Sequence, residues 1–134
     1  MREAELKHGR VCMLATLGWV AVDSGLRFPV DGFSNIPNSL AAHNAAVENG
    51  SMGFLLLVVG VMELVSGAAL FDQAKGSGRN PGDFAFDPLN FSKDTKAAQR
   101  YATNEIKNGR LAMLAFSGII TQAALFPDQA FPFF

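Results

Sequence analysis

Glu5, His8 and Arg10 stand at the head of an apolar run, in "ELKHGRVCMLA" at residues 5–15. A second stretch, "EIKNGRLAMLA" at 105–115, repeats the arrangement with Glu105, Asn108 and Arg110. Carboxylate, imidazole and amide oxygen are all metal donors. Beside hydrocarbon, an unpaired carboxylate or guanidinium is costly. The chemistry to look for is therefore ligation by groups whose charge has first been cancelled.

Helical geometry decides which charges can meet. Each residue advances about 100°, so Glu5 and Arg10 point roughly 140° apart, whereas pairing within a helix favours spacings of three and four. Glu105 and Arg110 share that spacing. Two helices in contact would solve both cases, with Glu5 reaching Arg110 and Arg10 reaching Glu105. Gly9 and Gly109 would let the backbones approach, and Ala15, Gly18, Ala115 and Gly118 continue the small-residue character. Each carboxylate would then keep one oxygen on its guanidinium and one free, a donor of no net charge. His8 lies about 60° from Glu5 and about 160° from Arg10, so it faces away from the partner helix, as Asn108 does on the other copy. These donors do not converge, which argues against a bare-ion cage. They suit a metal that lacks one ligand and is carried by a large apolar molecule. Magnesium in a tetrapyrrole fits, because Mg²⁺ prefers oxygen and accepts nitrogen.

The elements that must position these groups follow from hydropathy. "MGFLLLVVGVMELVSGAALF" at 52–71 has about the length of a bilayer crossing and one charge, Glu63. The runs at 11–22 and 111–126 are shorter and reach that length only as helices that extend back through the two motifs. The connections at 23–39 and 75–94 are rich in proline and glycine and read as loops. The expected fold is an all-α membrane protein, a single domain over 1–134. Three transmembrane helices run roughly over 3–22, 50–72 and 95–126, with the first and third crossing about a pseudo-twofold axis. Short amphipathic helices complete it, one of them within 39–50. Lys75, Arg79, Lys93, Lys96, Arg100 and Lys107 lie between the second and third spans, against Arg27 alone between the first two. The positive-inside rule then puts the chain start and second connection on one side, and the first connection and the "FPDQAFPFF" tail on the other.

Composition narrows the classes. Hydrophobic residues make up 49% and charged residues 17%, against about 25% charged in soluble domains, and the continuous apolarity of 52–71 is the main evidence against a soluble three-helix core. A net charge of −1 gives no electrostatic footprint for nucleic acid. The single cysteine, Cys12, excludes an internal disulfide and reads as a small buried hydrophobe. Met13, Met52, Met62 and Met113 read as packing residues. Trp19 and the phenylalanine-rich tail suit the membrane edge or pigment rings. His43 reads as a solvated loop histidine. No nucleophile–base pair or phosphate loop is present, so no enzyme is expected. No targeting peptide is visible, and an N-terminal segment is expected to be missing.

The motifs "ELKHGRVCMLA" and "EIKNGRLAMLAFSG", with "FDPLNF" at 86–91 and a middle helix bearing Glu63, resemble the light-harvesting chlorophyll-binding proteins. The wording is most similar to algal members of the fucoxanthin chlorophyll a/c and red-lineage type. The resemblance implies that Glu5, His8, Glu63, Glu105, Asn108 and Gln122 are axial ligands to chlorophyll magnesium. Helical geometry sets Asn108 and Gln122 on one face, roughly 21 Å apart. It further implies that Asp87 and Pro88 lie against a carotenoid end group. The implied cofactors are chlorophyll a, chlorophyll c, and fucoxanthin-like or other xanthophyll carotenoids. Implied partners are a photosystem core, photosystem I by preference, neighbouring antenna subunits and thylakoid lipids. The implied location is the chloroplast thylakoid, multi-pass, with a stromal N-terminus and a lumenal C-terminus. The implied function is an antenna that transfers excitation to a photosystem. The alternatives are a stress-type member dissipating excitation as heat and a pigment-poor membrane scaffold. There are departures: Leu55 stands where the family often has a polar ligand, Asn90 replaces the glycine of "FDPLGL", and no histidine follows Gln122.

Overall fold

The computed structural model describes residues 1–134 other than 28, 30, 31, 92, 93, 130, 133 and 134. The described residues form four helices and no strand: α1 (Arg2–Asp23), α2 (Ser39–Glu48), α3 (Ser51–Ala74) and α4 (Thr95–Leu125). Asp31, Lys93 and the end of the phenylalanine-rich tail lie outside the described residues.

Both motifs are helical throughout. α1 and α4 run unbroken from the charged residues into the apolar runs. Their 22 and 31 residues correspond to about 33 and 46 Å at 1.5 Å per residue, enough for a core of about 30 Å. Glu3 and Glu5 sit in the first turn of α1, where the helix dipole favours negative charge. Asp94 caps α4 by accepting from the Lys96 N–H at 3.3 Å, and Asn38 caps α2 by accepting from the Ala41 N–H at 3.0 Å. α3 is long and apolar enough to cross a membrane, with a mean hydropathy of 2.3, and none of its apolar window is buried.

α1 packs on α4 along one seam. On α4, the buried residues Gly109, Ala112, Ile119 and Ala123, with half-buried Phe116, follow a 3-4-3-4 spacing. On α1, Leu6, Gly9, Met13, Thr16 and Val20 make a matching row. Trp19 meets Phe116 edge to face at 6.2 Å. A Cβ on Gly9 would lie 2.9 Å from the Gly109 Cα, and one on Gly109 would lie 3.0 Å from the Gly9 Cα, so neither position has room for a side chain. The small-residue character expected at Gly18 and Gly118 does not serve this interface. Both are exposed with no atom within 4 Å of a built Cβ, because Gly18 falls two residues from Thr16 and Val20, and Gly118 falls one residue short of Ile119 in the buried row.

Only one short helix appears among the described residues, where several were expected. In α2, Ala41, Ala42, Ala45 and Ala46 form the half-buried face. His43, expected in a loop, is an exposed residue of this helix.

Side-chain hydrogen bonds shape the connections. Arg27, the one cation between the first two apolar segments, donates to the Ile36 carbonyl at 2.7 and 3.0 Å and to the Val22 carbonyl, so it caps the end of α1. Asp23 accepts from the Ser39 N–H and hydroxyl and from the Phe131 N–H, each at 2.7 Å. Asn38 donates to the Pro127 carbonyl at 2.9 Å. One end of the molecule is thereby tied together from α1, α2 and the tail. At the other end Arg79 pairs with Glu3 at 2.8 Å, the Gly82 N–H donates to the same carboxylate, and the Arg79 guanidinium lies 4.6 Å from the Phe84 ring.

The protein core is very small. Among the described residues the buried apolar side chains are Leu6, Ile36, Ala112, Ile119 and Ala123, and no large side chain is fully buried. The accessible surface is 9956 Å² for 14.3 kDa. A compact soluble chain of that mass exposes about 6,800 Å². The excess is about 3,200 Å², and α3, with no buried residue, contributes to it.

Candidate functional site

The site is built where α1 and α4 approach at Gly9 and Gly109. The Arg110 Nε donates to the Glu5 Oε1 at 2.6 Å, and the Arg10 Nε donates to the Glu105 Oε1 at 2.6 Å. The two ion pairs run in opposite directions between the same two helices, so each motif supplies the other's counter-charge. The guanidinium of Arg10 also lies 6.0 Å from the Phe84 ring.

The two carboxylates differ in their second oxygen. On Glu105 it carries no hydrogen bond among the described residues, the open neutral donor that the spacing argument calls for. On Glu5 the Oε2 accepts from Arg2 at 2.6 Å, so the expected free oxygen is engaged. Arg2 and Glu5 are three residues apart on an exposed helical face, an arrangement the helix itself favours. A carboxylate oxygen has two lone pairs, so an engaged oxygen can still approach a metal.

His8 is exposed on α1, and its Nδ1 lies 2.7 Å from the Ala4 carbonyl oxygen. That oxygen can only accept, so Nδ1 carries the proton and the lone pair of the neutral ring belongs to Nε2. A backbone carbonyl fixing the tautomer is a usual support for a metal-ligating histidine. Asn108 and Gln122 are exposed on α4, with no side-chain hydrogen bond among the described residues. Leu111, Leu114 and Leu125 lie exposed near them, which gives these amides an apolar setting.

Glu63 lies midway along α3, away from the α1–α4 pair of charges. It accepts from Lys7 of α1, and Ser66 is 3.4 Å from the same oxygen. Sequence reasoning missed this third pairing, because Lys7 and Glu63 lie 56 residues apart and no repeated motif marks them as partners. It missed the Arg79–Glu3 clamp for the same reason. Two residues on from Glu5, Lys7 points roughly 160° away from it, a signal that the α1 charges serve two different neighbours.

The Asp87 carboxylate accepts from the Phe91 N–H at 3.0 Å, while Phe86, Pro88, Leu89 and Phe91 are exposed around it. Asn90 has φ +55°, in the left-handed region that glycine adopts freely and asparagine tolerates better than other residues. Asparagine can therefore stand in for glycine here without loss of the turn.

Among the described residues no three His, Cys, Asp or Glu side chains gather around a point that could hold a bare ion. What the site offers is single, outward-facing donors: the Glu105 oxygen, the His8 Nε2 and two amides, each on apolar surface. That fits a metal centre that arrives with its own equatorial ligands and a large apolar ring. A family model, described as chlorophyll A-B binding protein, matches residues 1–124.

The chain belongs to the chlorophyll A-B binding protein family.

Three relatives place it within that breadth. Light-harvesting complex stress-related protein 1, chloroplastic, from Chlamydomonas reinhardtii is 32% identical over 97% of this chain and 55% of its own length. Fucoxanthin-chlorophyll a-c binding protein A, chloroplastic, from Phaeodactylum tricornutum is 32% identical over 93% of this chain and 65% of its own. Fucoxanthin-chlorophyll a-c binding protein, chloroplastic, from Chattonella marina var. antiqua is 38% identical over 92% of this chain and 56% of its own. The chain thus spans between about half and two thirds of these curated relatives. In this chlorophyll A-B binding protein the α1–α4 pair presents exposed donor side chains, His8 and Asn108 among them.

Proposed function

We propose that this chain is a light-harvesting antenna unit of the chloroplast thylakoid membrane, without enzymatic activity. It binds chlorophyll a, chlorophyll c and xanthophylls, and delivers excitation to a photosystem, photosystem I by preference. The observation that carries the reading is the reciprocal pairing of Glu5 with Arg110 and Arg10 with Glu105, both at 2.6 Å, beside exposed donors on apolar helix faces. A carboxylate paired with its counter-ion loses less by leaving water than a lone one does, and can still offer an oxygen to Mg²⁺. Family membership and the relatives' names support the pigment class.

In this reading Glu5, His8, Glu105, Asn108, Gln122 and Glu63 hold chlorophyll magnesium, and Asp87 with Pro88 borders a carotenoid end. α1, α3 and α4 each cross the membrane, α1 and α4 about a pseudo-twofold axis. The N-terminus is stromal and the C-terminus lumenal. Light absorption and excitation transfer come with the bound pigments. The residues fix where each ring sits, which atom caps its metal and what polarity surrounds it. Tested by refolding the chain with a mixed chlorophyll and xanthophyll extract, it should retain both classes through gentle purification. Its fluorescence excitation spectrum should then contain the carotenoid and chlorophyll c bands when emission is read at chlorophyll a. A colourless product, or bound pigments that transfer nothing, would overturn the proposal.

A second reading, dissipation of excitation as heat, is favoured by the stress-related relatives, 32% and 33% identical. A fluorescence lifetime that shortens between pH 7.5 and 5 would select it; a constant lifetime would select the antenna.

A further inference from the structure

We propose that Lys7 is the counter-ion of Glu63 and the positioning residue of a pigment site between α1 and α3. This rests on the antenna reading above. Glu63 is the one charge in the apolar body of α3, and a lone carboxylate at that depth is costly. In the structure Lys7 Nζ donates to Glu63 Oε2 and lies 3.5 Å from the Ser66 hydroxyl, which itself donates to the Glu63 carbonyl at 3.0 Å. Among the described residues these are the only side-chain hydrogen bonds that join α3 to another helix. The other Glu63 oxygen carries no hydrogen bond there.

This is the Glu105 arrangement again: one oxygen on a cation from a neighbouring helix, the other open, surrounded by exposed apolar residues such as Val59, Met62 and Leu64. The side chains of Lys7 and Glu63 are 41% and 49% exposed, so protein atoms leave a large part of the pair uncovered. α1 therefore sends Glu5 and Arg10 to α4 and Lys7 to α3, so that one helix neutralises donors on both neighbours. Lys7 also sets the height of α3 against α1, since α3 has no buried residue of its own.

The test refolds the chain with chlorophyll a, chlorophyll c and xanthophylls, and counts chlorophylls per polypeptide in wild type, Lys7→Met, Lys7→Arg and Lys7→Met/Glu63→Gln. Lys7→Met, which strands the carboxylate, should lose one chlorophyll. Lys7→Arg should keep it. The double variant should regain it, because glutamine offers a neutral oxygen that needs no counter-ion, and the absorption band of that one pigment should shift. An unchanged count in Lys7→Met overturns the inference. So does a double variant that fails to recover, which would make Lys7 a tether only. If Lys7→Met yields no folded product, the double variant alone decides by the same criterion. A wild type that binds no chlorophyll would instead overturn the antenna reading.

Discussion

His8 and Glu105 share one economy: a polar atom is committed to the protein and another faces out. Their substitutions should nevertheless differ. His8→Leu removes an outward donor and leaves no charge behind, so it should lose one chlorophyll with little change in helix content. Glu105→Gln strands Arg10, whose side chain is only 36% exposed, and should destabilise the α1–α4 pair by about 1–3 kcal/mol. Pigment stoichiometry and circular dichroism on the same samples separate the two, and equal stability losses would contradict the pairing account. The cross-pairing was legible in the sequence because a five-residue spacing forbids bridging along one helix and a repeated motif offers a partner. The engagement of Glu5 by Arg2 was not weighed, although a spacing of three announces it. The pairs Lys7–Glu63 and Arg79–Glu3 were hidden for another reason. They are 56 and 76 residues apart, and no repeat marks them.

At the scale of the element, contact between α1 and α4 depends on two glycines. Gly9→Ala puts a methyl group 2.9 Å from the Gly109 backbone, which neither helix can avoid by turning a side chain. It should cost about 1–3 kcal/mol and lower the temperature at which pigment is released. Gly118→Ala meets no protein atom and should leave that temperature unchanged or raise it, by up to about 1 kcal/mol of helix propensity. If the two alanines behave alike, the close approach is not what holds the pair. Sequence patterning found all three long segments and the small-residue motif. It overextended that motif to Gly18 and Gly118 because counting small residues ignores which side of the helix they occupy. The described residues give one helix, α3, that qualifies as a membrane span on composition alone. α1 and α4 reach spanning length by carrying their charged motifs within the helix, which is why the pairing matters to the whole fold.

For the whole molecule, Asp23 makes a prediction about acid. Burial pushes its carboxyl up, but hydrogen bonds from the Phe131 N–H and from the hydroxyl and N–H of Ser39 outweigh burial and hold it below the ordinary 3.8. The group therefore stabilises the folded state fully above that ordinary value, and the contribution is lost as pH falls through the lowered folded one. Stability from this tie should be flat between pH 5 and 8 and decline only below about pH 4. Asp23→Asn should lower stability at neutral pH by about 1–2 kcal/mol and flatten that acid limb, as read by pigment release against pH. A lifetime change at pH 5–7 would consequently have to arise elsewhere.

Five buried apolar side chains among the described residues do not make a self-sufficient fold. Whatever covers the outer faces of α3 and α4 contributes to stability by mass action, since it binds the assembled helices and not the open chain. Synthesis of this polypeptide in a cell starved of tetrapyrroles should leave an unfinished shell that proteases clear. Its steady-state amount would then be set by the supply of pigment more than by the rate of translation.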